Sequence, residues 1–222
     1  MSFWNWDFAF EILPLLARAS LVTIEVTLLS FALALVLGLI LALMRMSHLS
    51  AMAMPAGAFV EVVRSTPLLI QIFFLYFVLP EFGITLGALT VGVMAIGVHY
   101  ATYCAEVYRA GLENVPRGQW EATVALNMGT YHALRDVIIP QAIPPVVPAL
   151  GNYFVALFKE TPLLSAIAVL ELMQQAKNIG SETFRYIEPI TLVGVFFLVF
   201  SLVAAALVRL LERRLARFGA RI

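Results

Sequence analysis

Three stretches of this chain are long enough, and free enough of charge, to cross a lipid bilayer. Val26 to Met44, Phe82 to Ala105 and Pro189 to Val208 contain no Asp, Glu, Lys or Arg. A helix needs about 20 apolar residues to traverse the hydrocarbon. Lipid offers the backbone no hydrogen bonds, so only helices and closed barrels can span it. Runs of this length therefore predict an all-α integral membrane protein, with the first helix starting near Leu21. The chain as a whole is 62% hydrophobic and 13% charged, too little charge to clothe a soluble domain.

Two further segments are apolar but interrupted. Pro55 to Leu79 carries Glu61 and Arg64 near its start and Pro67 just after. Pro145 to Leu170 carries Lys159 and Glu160 near its middle. With these, the expectation is about five transmembrane helices in one domain over residues 1–222. Five spans put the termini on opposite sides, and basic residues favour the cytoplasm. With the C-terminus inside, the cytoplasmic side receives Arg45, Arg109, Arg117, Arg135, Arg209, Arg213, Arg214, Arg217 and Arg221. The outer side then holds only Arg18, Lys177 and Arg185, beside Asp7, Glu11, Glu81, Glu171, Glu182 and Glu188. The expected topology is N-out, C-in. Asp7 and Glu11 stand where a cleavable signal would be basic, so Phe3, Trp4, Trp6, Phe8 and Phe10 are read as an interfacial aromatic cluster.

The net charge is zero, which gives no global field for nucleic acid. The single cysteine, Cys104, excludes an internal disulfide, and His48, His99 and His132 are too scattered to predict a metal site. No catalytic residue, cofactor or metal is expected.

Ser65-Thr-Pro-Leu-Leu69 recurs as Glu160-Thr-Pro-Leu-Leu164, each copy preceded by a basic residue, Arg64 or Lys159. A proline inside a helix frees a carbonyl and kinks the axis. A charge at the same depth costs about 2.5–3.5 kcal/mol on insertion scales. Kink plus charge at matching places predicts a polar pathway between two broken helices, with Arg64, Thr66, Gln71, Lys159, Glu160 and Thr161 as its residues. Glu61 and Arg64, three apart, are placed to pair with each other. Lys159 and Glu160 point about 100° apart, so one is expected to face a cavity and the other a neighbouring helix.

Arg109 to Pro140 is the long polar stretch. Trp120 to Met128 fits a short amphipathic helix with Glu121 near its start, Asn127-Met-Gly129 breaks it, and Thr130 is expected to cap a second helix ending near Pro140. A helix–turn–helix under the membrane suits a docking lever.

That stretch resembles the EAA loop of bacterial ABC-importer permeases, whose pattern is Glu-Ala-Ala, three residues, Gly, nine residues, Ile-x-Leu-Pro. Here Glu121-Ala122-Thr123, Asn127 and Val137-Ile138-Ile139-Pro140 keep the spacing; Thr123, Asn127, Val137 and Ile139 depart from it. Asn tolerates left-handed backbone, so the turn at the Gly position can survive. Glu61-Val-Val-Arg-Ser-Thr-Pro-Leu-Leu-Ile-Gln71, Ala105-Glu-Val-Tyr-Arg-Ala-Gly111, Pro116-Arg-Gly-Gln-Trp-Glu121 and Ile139-Pro-Gln-Ala142 resemble polar amino-acid permeases of the histidine/glutamine type. His99-Tyr-Ala-Thr-Tyr103, Phe158-Lys-Glu-Thr-Pro-Leu-Leu-Ser165 and Tyr186-Ile-Glu-Pro189 resemble, more narrowly, permeases for ectoine and hydroxyectoine.

The resemblance implies a multi-pass subunit of the bacterial inner membrane. It implies partner ABC ATPase subunits, a second permease subunit (the same chain or a related one) and an external solute-binding protein. The coupling residues it implies are Arg117, Trp120, Glu121, Ala122, Asn127, Gly129 and Pro140. Nothing in the chain resembles a phosphate-binding Gly-x-x-x-x-Gly-Lys-Ser/Thr loop, so ATP hydrolysis is assigned to the partner. The competing readings are a general polar amino-acid permease in place of an ectoine one, a self-sufficient secondary transporter, and a membrane enzyme. The last finds no clustered His/Asp/Glu set to support it.

Overall fold

A computed structural model describes residues 4–219, with side chains to 214. Phe3 and Arg221, both used above, lie outside the described residues, as does the side chain of Arg217. The described residues are helical with short connections: α1 Trp6–Arg45, α2 Ser50–Ser65, α3 Leu68–Phe73, α4 Ala88–Glu113, α5 Arg117–Ala125, α6 Thr130–His132, α7 Ile139–Glu160, α8 Leu172–Thr183 and α9 Ile187–Gly219. Four helical runs are long and apolar enough to cross a membrane, Trp6–Arg45, Ala88–Glu113, Thr130–Ile167 and Ile187–Arg214, and a bent pair makes up to five.

The boundaries differ from those read in the sequence, for identifiable reasons. α1 begins at Trp6, not near Leu21, and its 40 residues reach about 60 Å, twice the hydrocarbon thickness. The extra turns are held by protein: Ile12 and Leu16 are buried against Leu172, Ile179 and Val193. Asn5 caps the helix, its side chain accepting from the Asp7 and Phe8 backbones. Gly83 to Gly87 is not helix; Gly83 takes φ +82 and ends the preceding turn, so span three is displaced toward Glu113. The stretch around Pro55 to Leu79 is not one straight span: α2 and the Leu68–Phe82 segment meet at 105°.

The second loop helix also differs. Gly129, not Thr130, occupies the cap position, without a side-chain bond. The helix does not end near Pro140 but runs through a π-type turn at Ala133–Ile138 into α7, with Pro140 in its first turn. The missing N–H of Pro140 interrupts the helical ladder, and the π-type turn lies directly before it.

Close helix approach sets the core. A Cβ on Gly38 of α1 would lie 2.7 Å from the Cys104 Cβ and 2.9 Å from the Ala101 carbonyl of α4. The largest buried cluster gathers Val26, Ile72, Val91, Ile96, Cys104, Leu157 and Leu164 from spans one to four. Without a hydrophobic drive between helices in lipid, such small-residue contacts let dispersion hold the bundle.

Candidate functional site

The site begins at the first Thr-Pro. A residue before proline is pushed out of the α region, and Thr66 sits at φ −107, ψ 138, with Pro67 extended after it. The break frees backbone carbonyls in a membrane segment, where each needs a donor. Gln71 supplies them: its amide nitrogen donates to the Val63 carbonyl at 2.7 Å, the Thr66 carbonyl at 3.1 Å and the Thr66 hydroxyl at 2.7 Å. His99 Nδ1 lies 3.2 Å from the other end of the Gln71 amide.

The second Thr-Pro closes α7. The helix tightens into a 3₁₀ segment, Thr161–Ile167, which ends where Ala168 adopts φ 57. The two elements border one polar cavity of about 540 Å³, lined by Arg64, Thr66, Pro67, His99, Tyr103 and Glu160 among others. Tyr100 donates its hydroxyl proton to Glu160 at 3.3 Å. Tyr100, Tyr103 and Tyr153 pack ring to ring, with centroids 5.7–5.9 Å apart.

Of the pathway residues expected from sequence, Arg64, Thr66 and Glu160 meet in this cavity. Gln71 stands behind the break. Thr161 is buried, its hydroxyl on the Phe158 carbonyl at 2.9 Å. Lys159 is exposed and does not line the cavity, so of the adjacent pair it is Glu160 that faces inward.

The expected Glu61–Arg64 pair does not form. Glu61 is exposed, and an exposed pair at that spacing contributes only tenths of a kcal/mol, about 0.2–0.5. Arg64 instead lies 3.6 Å from Glu106 and places its guanidinium 4.9 Å from the Tyr103 ring. Glu106 also pairs with Arg45 of α1 and, at 2.9 Å, with Arg109, which in turn pairs with Glu113 at 2.7 Å. One carboxylate thus ties three helices together. Sequence reasoning missed this hub. Its signal was present: Glu106 is the first charge after the uncharged run from Phe82 and stands three and seven residues before Arg109 and Glu113. His99 and Tyr103 were missed as site residues for want of a spacing that pointed to chemistry.

The 109–140 segment forms the second feature. α5 runs Arg117–Ala125, three residues ahead of the expected Trp120 to Met128, so Glu121 lies at its middle. Asn127 takes φ 53, as a left-handed turn at the Gly position requires. Arg117, Trp120, Glu121 and Ala122 are exposed, and so are Val124 and Leu126, 77% and 74% accessible. Trp120, Glu121, Val124 and Met128 rim a groove of about 520 Å³. Val115 is buried against Ile138 and Ala142, and Gln141 bonds Gln119 at 3.2 Å, which fastens α5 to the start of α7.

Residues 34–217 match the model of the binding-protein-dependent transport system inner membrane component family. The chain belongs to that family. This inner membrane component is 42% identical over 222 residues to a probable amino-acid ABC transporter permease protein, y4tG, of Sinorhizobium fredii, covering 97% of this chain and 96% of the relative. It is 35% identical to the L-cystine transport system permease protein TcyB of Bacillus subtilis, over 94% of this chain and 89% of that one. It is 32% identical to the glutamine transport system permease protein GlnP of Escherichia coli, over 95% and 97%. Among solved structures, an amino acid ABC transporter crystallised with histidines superposes with a TM-score of 0.89 at 37% identity, over 95% of this chain and 99% of that one. An inward-facing MetNI methionine transporter chain shares the fold at a TM-score of 0.78 and 21% identity, over 92% and 98%.

Proposed function

We propose that this chain is the permease subunit of an ABC importer for a polar, zwitterionic amino acid. The observation that carries the reading is the cavity with Arg64 and Glu160 on its walls, in a chain whose relatives are named for amino-acid transport. A zwitterion brings one carboxylate and one ammonium. Arg64 offers the former a bidentate fork; Glu160, with the Tyr100 hydroxyl on its oxygen, accepts the latter. The relatives named above are named for amino-acid transport, which does not support the narrower likeness to ectoine permeases. Ectoine is also a zwitterion and stays as the rival substrate.

In this reading the chain lies in the bacterial inner membrane with the topology N-out, C-in, as one domain, and the 109–140 segment faces the cytoplasm. Partner ATPase subunits seat on α5 and the residue that follows it, where apolar Trp120, Val124 and Leu126 are exposed together. An external binding protein delivers substrate, and a second permease subunit completes the pore. Closure of the ATPases on ATP moves α5. Because Val115, Ile138 and the Gln119–Gln141 bond join α5 to α4 and α7, that movement tilts the two helices bearing Tyr103 and Glu160. The cavity then opens to the other side.

The test is uptake of labelled glutamine, histidine and ectoine in cells lacking this chain, with and without its restoration. Restored amino-acid uptake supports the proposal. Restored ectoine uptake alone replaces the amino acid with the compatible solute. Uptake without any ATPase subunit present would sink the ABC assignment. Glu121→Arg should leave the subunit in the membrane and abolish uptake; Glu160→Gln should weaken uptake without loss of assembly.

A further inference from the structure

Resting on the cavity assignment above, we propose that Arg64 is a two-position latch: it rests against Glu106, and it leaves that carboxylate to bind the carboxylate of the incoming substrate.

Glu106 is over-subscribed. Arg45 and Arg64 share its Oε1 oxygen, while Arg109 holds Oε2 through two nitrogens at 2.9 and 3.2 Å. Three guanidinium groups surround one carboxylate, and Glu113 relieves only Arg109. Of the three, Arg64 has the longest contact, 3.6 Å, and the most exposed side chain, 38% accessible against 23% and 33% for Arg45 and Arg109. Arg64 is also the member that lines the cavity. Its other support is the face of Tyr103, a contact that tolerates a swing of the guanidinium because the ring attracts a cation over a broad area. The residual positive charge therefore sits where a carboxylate from solvent can reach it.

The latch has a consequence for coupling. Releasing Arg64 leaves Glu106 to Arg45 and Arg109 alone. Arg109 is followed on α4 by Glu113, its second partner, and then by Pro116 and α5. Occupancy of the cavity thereby alters the charge balance on the helix that ends at the coupling segment. Arg64 is the substrate-binding residue, and Glu106, which acts through it, is a positioning residue.

The experiment is equilibrium binding to the assembled importer in lipid nanodiscs, using a mixture of the twenty common amino acids and ectoine, each labelled in turn. Glu106→Gln removes the competitor, so the bound solute should bind about fivefold tighter, the low end of ordinary coupling between linked sites. Its decarboxylated amine should be unaffected. The tightening should vanish when Arg64→Gln is combined with Glu106→Gln. Arg45→Gln should act in the opposite direction, because it returns Oε1 wholly to Arg64; binding should weaken several-fold. Opposite signs from two members of one cluster are not produced by general loosening. If neither Glu106→Gln nor Glu106→Asp assembles, Arg45→Gln decides. Unchanged affinity in these variants, or a tightening that persists without Arg64 or extends to the amine, overturns the latch while leaving the cavity in place. Unaltered binding in Arg64→Gln alone, or no binding of any member by the wild-type chain, overturns the cavity assignment and the latch with it.

Discussion

The same four residues, Thr-Pro-Leu-Leu, do two different things at 66–69 and 161–164. At the first, Thr66 leaves the helical region and the chain turns through 105°. At the second, Thr161 stays helical, at φ −58 and ψ −31, and the chain only tightens into a 3₁₀ segment. Pre-proline strain is common to both; the surroundings decide how it is relieved. Thr66 is exposed, and the Gln71 amide takes over the freed carbonyls. Thr161 is fully buried, and Leu164 after it is seated on Gly92 of α4, where a Cβ would come within 2.7 Å of its methyl. Packing on both sides leaves no room for a bend. A Thr-Pro step thus marks a weak point in a membrane helix, and tertiary contact sets whether it becomes an elbow or a tightened turn.

Removing the prolines should break the symmetry of the pair most severely. Pro67→Ala restores the missing N–H and lets α2 and α3 approach one straight helix, which erases one wall of the cavity; uptake should fall by more than about tenfold, a loss expected when binding groups are misplaced. Pro162→Ala should cost only a few-fold, since burial holds that segment. Equal losses in an uptake assay would show that the elbow is not what the cavity depends on.

The seat of Leu164 is the next lever. Gly92→Val overpacks it and should lower stability by about 1–3 kcal/mol, read as a drop in thermal unfolding temperature in detergent. An unaffected variant would mean that the second copy is held by something other than α4. The polar substitute at the first copy is a smaller lever. Gln71→Leu strips the donors from the Val63 and Thr66 carbonyls and should cost about 1–3 kcal/mol. Thr161→Val removes a hydroxyl bonded only to a carbonyl within its own helix end, and should cost less than Gln71→Leu in the same melt.

The smallest effect arises just beyond the second copy, at a position with no equivalent after the first. Glu171 is buried at the start of α8, and its oxygens accept from the Met173 and Gln174 backbones at 2.8 and 2.7 Å. Burial pushes its carboxyl up to about 7 from an ordinary value near 4.5. A raised carboxyl binds its proton more tightly when folded, so its contribution to stability is greatest in acid and is lost as pH rises from about 4.5 through about 7. The unfolding temperature should decline over that window, by roughly 2 °C or more, and Glu171→Gln should flatten the decline. A slope that survives the substitution assigns the pH dependence to other groups.

Much of the architecture was legible because the bilayer imposes a length and forbids charge. The uncharged runs at Val26, Phe82 and Pro189 marked spans that the structure contains, and the repeated Thr-Pro marked the one that bends and the one that tightens into a 3₁₀ segment. Boundaries were less legible. The uncharged run from Val26 suggested a first helix starting near Leu21, yet helix continues back to Trp6 because α8 and α9 cover one side of it. Arg64, Thr66 and Glu160, which line one cavity, were legible through the motif. Lys159 was not separable from Glu160, because which of two adjacent side chains faces inward depends on the rotation of α7. The 109–140 segment was legible in its turn, at Asn127, but not in its end, since a proline at the first turn of a helix and a proline terminating one look alike in a linear string.

The sequence by itself determined that this protein is a bundle of membrane helices with two weak points and one polar segment between spans three and four, because lipid solvation, proline geometry and helical length act on each segment locally. Only the tertiary structure decided that Arg64 turns from Glu61 to Glu106, that Gln71 repairs the break, and that Arg64 and Glu160 border the same cavity. Those outcomes depend on which helices lie side by side, and a charge or a freed carbonyl in a low-dielectric bundle takes the partner that packing brings within reach rather than the one nearest in the chain.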